Sequence, residues 1–152
     1  MTDFRQILYY VMAVSAFSGK KNMSQKDAFN YLNDNDGIGF LVDCYEAEHT
    51  LSLDDAVNDL TLVCKNNGGT TESNVVNQKI RFMTDYVTAV VIGCIMKDTG
   101  LSVSDAMKAF YNSEVFDRLC DIETGLYRES GGYVHDLYKI EKEHGRLVQM
   151  EI

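Results

Sequence analysis

The 152-residue chain contains no proline and no tryptophan. Without proline, nothing removes a backbone donor or clashes with a preceding turn, so long helices are permitted throughout. The four cysteines, Cys44, Cys64, Cys94 and Cys120, form no CxxC pair, which leaves no zinc-ribbon or thioredoxin-like spacing. All four fall among apolar neighbours in segments that read as helical, and they are expected to be reduced, inaccessible small hydrophobes. No GxxxxGK[ST] and no GxGxxG occurs, so the usual phosphate cradles are missing. The most apolar run, Val87 to Met96, falls short of the roughly 20 residues a bilayer span needs. Met1-Thr2-Asp3-Phe4-Arg5 lacks the basic and apolar regions of a signal peptide. The expectation is a cytoplasmic protein with no membrane partner.

Positive charge is absent from one long stretch. Between Lys26 and Lys65 there is no Lys or Arg, while Asp27, Asp34, Asp36, Asp43, Glu46, Glu48, Asp54, Asp55 and Asp59 all fall there. Those nine acids match the formal net charge of −9, and the rest of the chain is balanced. A surface of that sign repels phosphate, which argues against DNA or RNA as partner. It would speed encounter with a basic protein. It would equally serve as a solvated face that keeps the chain dispersed.

What is present reads as helix. Hydrophobic residues make up 45% of the chain, enough for a packed core without disulfides or metal. Phe4, Ile7, Leu8, Val11 and Met12 recur at helical spacing, with Gly19 and two lysines expected to close that helix. Ser24 caps the next, which carries Ala28, Phe29 and Leu32. Ile38, Leu41, Val42 and Tyr45 mark one buried face of a third. Ser52 caps a fourth, lined by Leu53, Val57, Leu60 and Cys64. No segment keeps the strict alternation of a strand.

The second half echoes the first. Met23-Ser24-Gln25-Lys26-Asp27-Ala28-Phe29 aligns with Leu101-Ser102-Val103-Ser104-Asp105-Ala106-Met107, and Val57-Asn58-Asp59-Leu60 with Val134-His135-Asp136-Leu137. Tyr10-Val11-Met12-Ala13-Val14 aligns with Tyr86-Val87-Thr88-Ala89-Val90. The expected fold is all-α: two tandem diverged four-helix repeats, residues 1–69 and 77–152, packed into one compact bundle. A Gly-, Asn- and Thr-rich linker at 70–76 would join them.

The stretch MSQKDAFNYLNDNDGIGFLVDCYEAEHTLSLDDAVNDLTLVCKNNGG resembles a family of small bacterial all-helical domains of unknown function, and DIETGLYRESGGYVHDLYKIE in the second half resembles it too. The residues that carry the resemblance are Met23-Ser24, Tyr45-Glu46, His49 and the acidic helix Asp54 to Asp59. In the second half Leu126 stands where His49 would fall. Genes of that family often lie beside genes of ADP-ribosyltransferase-like proteins. The resemblance therefore implies an accessory or antitoxin-like companion.

The candidate site is the acidic face, Asp43, Glu46, Glu48, His49, Asp54, Asp55 and Asp59. Its acids are expected to point to solvent with no Lys or Arg nearby in the sequence to pair with them, leaving the second half to supply any in space, and its partner to be a protein with a basic surface. A structural or regulatory homo-oligomer is the alternative. A weaker one is a metal-dependent enzyme, because Glu46 and His49, like Glu141 and His144, are spaced i, i+3 as in carboxylate-bridged di-metal bundles. The reading favours a non-catalytic protein with no metal and no cofactor. Cysteine–histidine chemistry would need Cys64 or Cys120 brought to His135. Tyr9 and Tyr10, being adjacent on a helix, cannot face the same way, and one of them is a candidate for exposure.

Overall fold

A computed structural model describes residues 3–66 and 78–145, and every regular element there is helical. The helices are α1 (Phe4–Lys21), α2 (Gln25–Asp34), α3 (Gly37–Asp43), α4 (Tyr45–Glu48) and α5 (Leu53–Asn66). After them come α6 (Gln78–Thr99), α7 (Val103–Tyr111), α8 (Glu114–Cys120) and α9 (Gly131–His144). Two 3₁₀ turns, Ile122–Thr124 and Leu126–Arg128, lie between α8 and α9. The expected linker at 70–76 lies outside the described residues.

Helix starts are set by short polar side chains. Ser24, Ser52 and Ser102 accept the backbone N–H three residues on, from Asp27, Asp55 and Asp105, at 3.0, 3.1 and 3.2 Å. In each case that third residue is an aspartate, whose charge favours the positive end of the helix. Ser113 and Ser130 cap α8 and α9 in the same way. Asp3 and Gln6 exchange bonds in a capping box at the start of α1.

α1 and α6, the two longest helices, pack against each other through the centre. α2 and α5 flank α1, α7 and α9 flank α6, and α2 meets α7. The core between them holds Phe17, Phe29, Leu32, Leu60, Ile92, Phe110 and Phe116, all essentially without exposure. Phe29 of α2 and Tyr111 of α7 stack at 4.6 Å with their rings 2° apart. Burying a side chain of this size contributes about 1.5–3 kcal/mol. Among the described residues no single helix is long and apolar enough to cross a membrane.

Three local expectations change. α1 does not stop at Gly19; it runs to Lys21, and Asn22 ends it in a left-handed conformation at φ 56°. Gly19 is instead a contact point, because a Cβ there would collide with the Arg81 guanidinium of α6. The helix expected to carry Ile38 through Tyr45 breaks at Cys44 into α3 and the single turn α4. The first half therefore holds five described helices, not four. Tyr10 and Tyr86, aligned in the sequence, sit differently: Tyr10 is buried and Tyr86 is 50% exposed.

Candidate functional site

The acidic stretch maps onto α3, α4, α5 and the turn before α5. Asp43, Glu46, His49, Asp54 and Asp55 are exposed, and Asp59 is half-buried. Glu48 departs from expectation, because it is only 7% exposed. The break at Cys44 restarts the chain as one turn, and Glu48 on that turn comes against Tyr9 of α1 and Asp55 and Asp59 of α5. It is covered by these neighbours but lies shallowly under the surface.

The face is not devoid of cations either. Lys20, near the end of α1, reaches Asp54 at 3.2 Å. A scan along the acidic stretch could not find this partner, because it comes from the helix packed alongside.

Electrostatics concentrate at Glu48. Burial raises its carboxyl above the ordinary range, and a hydrogen-bonding contact with Asp59 and the charges of Asp59 and Asp55 raise it further. Burial, then the charges of Glu48 and Asp59, push the Tyr9 hydroxyl up to about 12. Both Glu48 Oε2 and the Tyr9 hydroxyl are buried without a hydrogen-bond partner.

Aromatic rings form the other side of this corner. Tyr45 meets Tyr9 edge-on at 5.6 Å and Tyr10 at 5.8 Å. His49 stacks on Tyr45 at 4.4 Å, the planes 14° apart. Its Nδ1 lies 2.6 Å from the Tyr45 carbonyl oxygen. A carbonyl can only accept, so Nδ1 carries the proton and the ring is held in place. Neither tyrosine of the Tyr9-Tyr10 pair is exposed: Tyr9 is half-buried and Tyr10 buried.

Residues 8–67 match the family model described as Protein of unknown function (DUF3791). That match runs from α1 to just past α5 and so contains the whole acidic and aromatic corner. That match and the all-helical fold fit a small helical domain of unknown function. No curated protein and no solved structure matches the chain.

The other candidate residues are dispersed. Glu141 accepts the backbone N–H of Glu114 and Val115 at 3.2 and 2.9 Å, and so caps α8 from α9. His144 ends α9 before Gly145, at φ 72°. Among the described residues no group of three or more His, Cys, Asp and Glu is placed to hold a metal ion. His135 pairs with Asp98 at 3.2 Å, joining α9 to α6.

The cysteines are free but not uniformly inaccessible: Cys64 is buried, Cys44 and Cys94 are half-buried, and Cys120 is exposed. Burial pushes the Cys64 thiol up to about 11. That is opposite to what a nucleophilic thiolate needs.

Sequence reading missed Asp85 of α6. It is 4% exposed, and its Oδ1 has no partner. Ser15 and Gln25 face it and Arg81 lies one turn away, all favouring the ionised form. Burial is the larger effect and pushes the carboxyl up to about 7. Its sequence signal was an acid two residues ahead of the most apolar run of the chain, Val87 to Met96.

Proposed function

We propose that the chain is a non-catalytic protein-binding module that covers a basic surface of another protein through Asp43, Glu46, Glu48, His49, Asp54, Asp55 and Asp59. The observation that carries this reading is the exposure of Asp43, Glu46, Asp54 and Asp55 on adjoining elements. Among the described residues these four make one ion pair, Lys20–Asp54. Such a field accelerates encounter with a complementary protein. The adjoining tyrosines supply the amphipathic contact area that interfaces favour. An accessory or antitoxin-like partner of an ADP-ribosyltransferase-type protein is the specific form of this proposal. It rests on the sequence resemblance described above.

The architecture we propose is two tandem units, α1–α5 and α6–α9. Val57 and Val134 are both buried, as are Leu60 and Leu137, Ala28 and Ala106, and Phe29 and Met107. Ser24 and Ser102 cap equivalent helices with the same third-residue aspartate. The burial pattern of α1 carries onto α6 with Tyr10 opposite Val87, a register one residue from that of the sequence alignment.

The test is affinity capture from the native lysate at low salt, with elution by salt. The binding reading expects a specific basic protein, released as salt screens the face. A chain that captures only itself and migrates as an oligomer would favour the homo-oligomer reading instead.

A further inference from the structure

The acidic face contains one place with the chemistry to take a single cationic group, an inference that rests on the face being a partner-binding surface. α1, α4 and α5 meet with Tyr9, Tyr45 and His49 on one side and Glu48, Asp55 and Asp59 on the other. Glu48 is 93% covered, judged from its 7% exposure, yet its Oε2 receives no hydrogen bond. Its close neighbour is another carboxyl, Asp59, which has nothing to donate when ionised. Among the described residues no Lys, Arg or His forms an ion pair with Glu48 or Asp59. A covered carboxylate left this way is costly, and one shared proton or one cation from outside would satisfy the pair.

The aromatic side points to a cation independently. His49 is exposed, and its ring is fixed flat on Tyr45 by the stack and by the Nδ1 bond. Tyr9 sits beside Glu48 and Asp59 and against Tyr45, so rings of the kind that attract cations adjoin the carboxyls. A guanidinium suits the combination better than an ammonium, since it is planar, stacks on a ring, and reaches two carboxyl oxygens at once.

We propose that the corner of Tyr9, Tyr45, His49, Glu48 and Asp59 is the docking point for an arginine side chain of a basic protein partner. Docking then takes the place of the proton that burial and the neighbouring acids favour on Glu48. The groups facing the pair are Tyr9 from α1 and Asp55 from α5, with Tyr45 against Tyr9. Crowding by burial, Asp59 and Asp55 keeps that proton bound to a higher pH than an isolated carboxyl would. Binding therefore strengthens as pH rises through the titration of Glu48 and levels off above it. The Tyr9 hydroxyl stays neutral throughout.

The experiment uses the full chain and fluorescein-labelled octa-arginine as probe, with anisotropy at low salt and calorimetry in buffers of differing ionisation heat. Glu48→Gln and Asp59→Asn should each weaken binding at least about tenfold, the loss of one charge-assisted hydrogen bond. Asp43→Asn removes the same charge from an exposed position and should weaken it less than about threefold. Wild type should release a proton on binding near the titration of Glu48. If Glu48→Gln fails to fold by circular dichroism, Asp59→Asn and the proton count still decide.

Equal losses for Asp43→Asn and Asp59→Asn, or binding without proton release, would overturn the corner while leaving a face that acts by overall charge. Octa-lysine binding as tightly as octa-arginine would overturn the assignment to guanidinium. No binding of octa-arginine to wild type at all would remove both the corner and the acidic-face reading.

Discussion

Lys20 and Asp54 bridge α1 and the start of α5 at 3.2 Å, with 48% and 78% of their side chains exposed. A pair so exposed is screened by solvent and contributes little to stability, about 0–1 kcal/mol. Its larger effect is on the field, because Lys20 offsets one acid of the face. Lys20→Ala should leave the melting temperature within a few degrees of wild type and should raise the association rate with a basic partner. A slower association would show that Lys20 contacts the partner.

Asp85 gives a pH dependence of definite sign. Its folded value of about 7 lies above the ordinary 3.8, so the folded state holds a proton that the unfolded state has released. The stability contributed by that proton is full below about pH 4 and is lost as pH rises through about 7. Asp85→Asn removes this term. The variant should gain on wild type between pH 5 and 8 by an amount on the order of a few kcal/mol. Urea midpoints at the two pH values measure the difference, and parallel shifts in both proteins would contradict the burial effect.

Glu141 caps α8 from a different helix by accepting two backbone N–H groups. Glu141→Ala should cost about 1–2 kcal/mol. Glu141→Gln keeps one oxygen acceptor and should cost less. Identical losses in thermal melts would show that packing, not capping, is what Glu141 supplies.

Leu60 and Leu137 are both buried, and Leu62, one turn along from neither core contact, is 58% exposed. Leu60→Ala and Leu137→Ala should each lose roughly 2–5 kcal/mol. Leu62→Ala should stay within about 0.5 kcal/mol of wild type. A large loss at Leu62 would mean that its surface is covered in solution.

Much of the fold was legible because the signals are local. Ser24 and Ser52 read as caps and act as caps, since a cap needs only the next three residues. Apolar spacing found Leu32, Val57 and Leu60 for the same reason. What was not legible depends on chain segments far apart in sequence.

Gly19 looked like a helix end by composition, but its use is to admit Arg81 from α6. Glu48 looked like any acid of a solvated run until α1 and α5 covered it. The Lys20–Asp54 pair and the Glu141 cap likewise arise only when helices meet. The exposed part of the acidic face was readable from charge alone, while its corner with Tyr9 was not.

The most direct test of the central claim is association kinetics between the captured partner and the double variant Asp54→Lys, Asp55→Lys, against wild type, over a range of salt. Both positions are exposed but lie in the first turn of α5, where acids favour the helix dipole, so the reversal should cost about 1–2 kcal/mol and leave the protein folded. If the acidic face steers binding, the variant associates more slowly at low salt and its rate depends less on ionic strength. If the variant associates at the wild-type rate at low salt, the face does not steer binding and serves only to keep the protein dispersed.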